Sequence, residues 1–115
     1  MDYDFDEMRV KVRAVLNDKI KYESHLENYL FEELQKMQAM GLKLSPVGST
    51  GLPDVFVFYK GGFWAVELKK EKGTLKDHQK AFHLRLKRYG HTVRVLRGKE
   101  EVNKFIAELK KYEPC

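Results

Sequence analysis

A chain of 115 residues fits one domain, and 43% hydrophobic with 34% charged content describes a globular protein with a real core. A net charge of +5 points to an anionic partner, while one cysteine, Cys115, excludes an internal disulfide and any multi-cysteine zinc site. No apolar run approaches membrane-spanning length, and the acidic start Met1-Asp2-Tyr3-Asp4 lacks the layout of a signal peptide, so a reducing, cytoplasmic setting is expected.

Taken in order, residues 5–18 carry Phe5, Met8, Val12, Val15 and Leu16 at near-helical spacing, which predicts a short amphipathic helix that docks on its own domain or on another subunit. A second helix is expected over Lys21–Met40, with Gly41 as its C-terminal cap. Projected at 100° per residue from Tyr22, its apolar stripe centres at ~40°, with Glu23 at ~100° and Glu27 at ~140°. Glu23 therefore borders the buried face and Glu27 is expected to face outward. Residues 42–53 read as a connection with a short strand at Leu42–Leu44, and Gly48-Ser49-Thr50-Gly51 is small enough for backbone amides to approach a phosphate. No Walker pattern is present, so no nucleotide cofactor is expected.

Residues 48–69, GSTGLPDVFVFYKGGFWAVELK, dominate the chain. Asp54–Tyr59 and Phe63–Leu68 are strand-like runs on either side of Lys60-Gly61-Gly62, which predicts an antiparallel hairpin. With Gly61-Gly62 as the loop, Asp54 lies opposite Lys69 and Phe56 opposite Glu67. Alternation then gathers Asp54, Glu67 and Lys69 on one face, and Val55, Val57, Trp64, Val66 and Leu68 on the other. Two carboxylates and an ammonium so placed suit a hard divalent ion and the hydrolysis of a phosphodiester, with Lys69 holding the attacking water or stabilising the charge that develops. The same residues also fit a solvated strand face whose charges pair across the hairpin.

Beyond Lys69, Thr74-Leu75-Lys76-Asp77 resembles a helix N-cap, and a helix to about Tyr89 is expected, with Leu75, Phe82, Leu86 and Tyr89 inward. Gln79 falls in that stripe, where its amide either satisfies core polar groups or reaches the acids. His91–Leu96 is strand-like and is expected to run parallel to Phe63–Leu68. A last helix spans Lys99–Tyr112, with Val102, Phe105, Ile106 and Leu109 inward. His78 and His83 are too far around a helix to clamp one metal. Residues 60–99 hold twelve Lys and Arg against three acids, a basic field that suits nucleic acid.

The ordered set of a helix Glu, Gly51-Leu52-Pro53-Asp54, Glu67-Leu68-Lys69-Lys70 and Gly73-x-Leu75 followed by Gln79 resembles the VRR-NUC branch of the PD-(D/E)XK nucleases, from about Glu23 to about Ile106. The resemblance implies a restriction-endonuclease-like α/β domain, a mixed sheet flanked by helices, over residues 1–115, with 1–20 as a helical extension. It implies Mg2+ or Mn2+ held by Asp54, Glu67, the Leu68 carbonyl and, through water, Glu23. Lys69 would be catalytic and Gln79 supporting, with Lys70, Lys72, Lys76 and Lys80 on DNA. Short stand-alone members, viral ones working in the host cytoplasm, resemble this chain and are homodimers that resolve four-way junctions. A flap or branched-DNA nuclease, or a non-catalytic nucleic-acid-binding module of the same fold, are the alternatives.

Overall fold

The computed structural model describes residues 25–44 and 51–114. The helix expected over 5–18, Glu23, and residues 48–50 of the glycine-rich run lie outside the described residues. The elements are α1 (His25–Lys36), β1 (Met40–Lys43), β2 (Val55–Tyr59), β3 (Gly62–Lys69), α2 (Asp77–Arg88), β4 (Val93–Arg97) and α3 (Gly98–Lys111). The four strands form one mixed sheet in the order β1-β2-β3-β4, antiparallel from β1 to β3 and parallel between β3 and β4. Three helices flank this sheet, and the parallel β3/β4 pairing agrees with the strand-helix-strand order of the sequence.

The core lies between the sheet and α1 with α3. Leu30 and Leu34 of α1 and Val102, Phe105, Ile106 and Leu109 of α3 close on Val55, Val57, Val66 and Leu96. The four inward residues of α3 are those its periodicity selects. On α1 the buried set is Glu27, Leu30, Phe31 and Leu34, an i, i+3, i+4, i+7 stripe. The helix ends at Lys36, four residues short of the expected Met40. Gln38 adopts a left-handed φ of 59°, and the Gln38 and Ala39 amides donate to the Gln35 and Leu34 carbonyls at 3.1 and 2.9 Å. This is a Schellman cap with Gln in the place usually taken by Gly. Gly41 is not the cap: it sits in β1, where a Cβ would lie 2.7 Å from Phe31.

The hairpin register differs from the expected one by two residues. The loop is Lys60-Gly61, both with positive φ (48° and 80°), and Tyr59 pairs with Gly62. Such a two-residue turn matches the twist of the strands it joins. Phe58 then faces Phe63, Phe56 faces Ala65, and Asp54, the residue before β2, falls opposite Glu67. A slip of two residues leaves every side chain on its expected face, so the core set Val55, Val57 and Val66 stands while the pairing of the charged residues changes.

Helix α2 lies over the other face and departs most from expectation. None of its residues is buried, and Tyr89, expected inward, is 78% exposed. Its N-cap is Lys76, not Thr74, and the Gln79 side-chain oxygen accepts the Lys76 amide at 2.9 Å.

Candidate functional site

Where β2 begins, the Gly51-Leu52-Pro53 stretch fixes Asp54. Gly51 has φ +77°, and a Cβ there would come within 2.2 Å of the His78 carbonyl oxygen, so only glycine lets this loop press against α2. Pro53 is fully buried beside it. Asp54 then extends the sheet with its side chain: the Leu68 amide donates to Asp54 Oδ2 at 2.8 Å.

Glu67 comes from the middle of the sheet and is 1% exposed. Its Oε1 accepts the Gln79 amide at 2.9 Å and lies 3.8 Å from the Lys69 ammonium. Its Oε2 is buried with no hydrogen-bond partner. Burial first, and then the Asp54 charge, push the Glu67 carboxyl up to about 8 against the pull of Lys69. A buried carboxylate with an orphaned oxygen next to a second carboxylate is costly unless a proton or a cation sits there.

Gln79 is the hinge of this arrangement. Its oxygen caps α2 and its nitrogen holds Glu67, so one side chain ties the helix start to the acid and leaves Oε2 as the unused atom. Of the two roles left open for Gln79, it takes the one at the acids.

These groups line a cleft of about 660 Å³ whose walls also carry Glu27, Lys70 and Glu71. Glu27 is the residue that sequence reasoning missed. Expected to face outward, it is 8% exposed, donated to by the Lys43 ammonium at 2.7 Å, and raised to about 7 by burial and by the Asp54 charge. Its signal was present in the 27-30-31-34 spacing. Projection from Tyr22 hid it, because Tyr22, Leu26 and Tyr29, at about 0°, 40° and −20°, drew the stripe centre to one side, and Phe31, at about 180°, was not counted in the stripe.

Arg97 is a second residue the sequence did not flag. It sits beside Lys69 in the parallel pairing, and its Nε donates to the Gly73 carbonyl at 2.9 Å, which ties down the loop after β3. His83, also close enough to Lys69 to feel its charge, is lowered by burial and then by that charge. Lys70 reaches the cleft, Lys80 lines a separate hollow between α2 and β4, and Lys72 and Lys76 are exposed outside both.

The donor set fits a hard divalent ion: two adjacent carboxylates, one with a buried unpartnered oxygen, in a cleft that Leu68 also lines. Among the described residues no group of three or more His, Cys, Asp and Glu forms a closed cage. Magnesium commonly takes only one or two carboxylates and fills its shell with water and phosphate oxygens. Among the described residues no helix is long and apolar enough to cross a membrane.

No family profile matches the sequence, and no curated protein does. A solved structure titled "VRR_NUC domain" is similar at 30% identity and a TM-score of 0.64, covering 76% of this chain and 94% of that one. The likeness thus runs through nearly the whole of that domain and extends to sequence as well as backbone, and the chain belongs to the VRR-NUC family, with the fold of a nuclease.

Proposed function

We propose that the protein is a metal-dependent DNA endonuclease that hydrolyses phosphodiester bonds in branched DNA. The observation that carries this reading is the fully buried Glu67, with its orphaned Oε2, on the face it shares with Asp54 and Lys69. Asp54, Glu67 and the Leu68 carbonyl would hold Mg2+ or Mn2+, with Glu23 reaching the ion through water and Glu27 adding a carboxyl to the cleft wall. Bound there, such an ion lowers the pKa of water and neutralises charge on a phosphate under attack.

The chain's own groups have distinct parts. Lys69 presents an ammonium beside Glu67, where it orients the attacking water or balances negative charge on the phosphate. Gln79 holds Glu67 in one orientation. Glu27, pushed up to about 7 by burial and the Asp54 charge and linked to Lys43, puts a third carboxyl on the cleft wall. The basic side chains Lys70, Lys72, Lys76 and Lys80 contact DNA phosphates and set the register of the strand.

A cleavage assay with purified protein on four-way-junction, flap, nicked and linear DNA, with Mg2+, Mn2+ or chelator, tests the reading. Cutting that needs the metal and prefers branched substrates is expected. Light scattering distinguishes the junction form: a two-fold dimer would present two sites to the two symmetric strands of a junction. A monomer that cuts flaps and leaves junctions intact would move the specificity to flap trimming. DNA binding without any cutting would leave a binding module.

A further inference from the structure

At the hairpin end of the sheet, four side chains on the Asp54/Glu67 face form a row across β1, β2 and β3 and on to His91, which leads into β4. Met40 pairs with Phe58, and Phe58 pairs with Phe63. His91, two residues before Val93 as Phe63 is two before Ala65, stands level with Phe63 in the parallel pairing. Met40, Phe58 and Phe63 are 37%, 39% and 39% exposed, and His91 is exposed as well. Apolar and aromatic surface of this kind at the open end of a sheet marks a contact surface.

The row is preorganised. Phe63 is held by three rings, Phe56 at 5.1 Å edge-on, Phe58 at 5.3 Å tilted and His91 at 5.9 Å edge-on. Few rotamers remain to be frozen on binding, which lowers the entropic cost of stacking.

Charge decides what fits on it. No acid stands within three residues of Met40, Phe58, Phe63 or His91 in the sequence. Lys60 is two residues from Phe58, and Arg88 is three from His91. An anionic partner with flat π surfaces suits this combination, and nucleobases on a phosphate backbone have both. The distance along the face is also suitable: Phe58 is four residues from Asp54 and Phe63 four from Glu67, ~13 Å at strand rise.

We propose that the Met40-Phe58-Phe63-His91 row is a shelf on which unpaired nucleobases stack, next to the strand whose backbone lies at Asp54 and Glu67. This deepens the nuclease reading and rests on it: the substrate class becomes DNA with unpaired bases near the cut. Paired bases are covered by their neighbours and cannot use the shelf, whereas a single strand offers each base a free face.

The test is equilibrium binding of the full chain, in chelator so that nothing is cut, to a labelled oligothymidine of about 12 nucleotides, to an abasic strand of equal length, and to a blunt duplex. Wild type should bind oligothymidine more tightly than the abasic strand. Phe58→Ala and Phe63→Leu should each weaken oligothymidine binding about fivefold or more, leave duplex binding unchanged, and keep the slope of log affinity against log salt, since no phosphate contact is lost. The wild-type comparison of base-bearing and abasic strands needs no variant to fold. Equal affinity for those two strands overturns the proposal. So does an equal loss on duplex and single strand, or a halved mass of the Phe variants in light scattering, which would make the row a contact between two copies. Failure of the nuclease reading appears separately, as the absence of metal-dependent cutting by a wild type that still prefers base-bearing strands.

Discussion

On one face of the sheet Val55, Val57 and Val66 are fully buried beneath α1 and α3; on the other, α2 buries none of its own residues and the sheet leaves Phe58 and Phe63 open. The closed face is apolar almost throughout. The open face carries Asp54, Glu67 and Lys69, and among the described residues the buried side-chain atoms without a partner are Glu67 Oε2 in the sheet and His83 Nε2 on α2. Stability is concentrated where water is excluded by aliphatic packing, and chemistry is concentrated where a loosely seated helix leaves polar groups short of partners. Gln79 connects the two regimes, because it is both the cap of α2 and the partner of Glu67.

Substitutions that separate the faces test this division. Asp54→Asn and Glu67→Gln should abolish metal-dependent cleavage while DNA binding stays near wild type and the fold holds, since the basic surface is untouched. Phe105→Ala, on the closed side, should do the reverse and cost about 3–5 kcal/mol of stability. Cleavage rates with Mg2+ and chemical denaturation of the same three proteins provide the check. Wild-type cutting by either acid variant would refute the site.

Next in size is the pair Lys69→Ala and Lys70→Ala. Lys69 lies on the acid face, 3.8 Å from Glu67, and loss of a preorganised charge at a developing anion typically costs about 10²–10³ in rate. Lys70, just past the end of β3, should lose affinity that returns at low salt and little of the cutting rate. Equal rate losses in single-turnover assays would mean that Lys69 serves only the backbone of the DNA.

A smaller effect is expected at Gln79. Gln79→Glu keeps an oxygen for the Lys76 amide but replaces the donor facing Glu67 with an acceptor, so the cap survives and the orientation of Glu67 does not. Removing an outer partner of a metal ligand commonly costs 10–100-fold, roughly the loss of Mn2+ affinity to look for by calorimetry. An unchanged affinity would make Gln79 a capping residue only.

Much of the architecture was legible because it follows from period and chirality: the buried set of α3, the aliphatic face of the hairpin and the parallel β3/β4 pairing. The shared face of Asp54, Glu67 and Lys69 was legible for a subtler reason, since a slip of two residues cannot change a side chain's face. Their exact pairing was not, because Lys60-Gly61 and Gly61-Gly62 both offer a turn and only the packed sheet chooses between them. Glu27 was hidden because Tyr22, Leu26 and Tyr29 drew the apolar stripe to one side and Phe31 was left out of it; the helix end was hidden because it depends on Gln38 taking a left-handed conformation that its identity does not announce. The exposure of α2 was hidden too: Leu86 and Tyr89 have the spacing of a buried stripe, and spacing alone does not reveal how closely a helix sits on its sheet. Sequence periodicity reports which face a residue joins, and contact with the rest of the fold decides what that face meets.

The last effect concerns pH. Glu67 moves from an ordinary value near 4.5 up to about 8, chiefly by burial and then by Asp54, and Glu27 moves to about 7 for the same causes. Between those limits the folded protein holds a proton at Glu67 that the unfolded chain has released. Unfolding then releases protons, and stability falls as pH rises. This contribution is complete below pH 4.5, declines through the neutral range and is gone once the pH passes the folded value of about 8. In chelator, wild type should therefore lose melting temperature between pH 5 and about 8 relative to Glu67→Gln, which carries a permanent neutral isostere. Mn2+ should reverse the trend for wild type alone, because a cation takes the place of the proton and stabilises the fold by binding it. Melting curves of the two proteins across that range, with and without Mn2+, decide the matter. Parallel curves in chelator would mean that Glu67 is ionised in the folded protein without any ion, and that its buried oxygen is balanced by Lys69 alone.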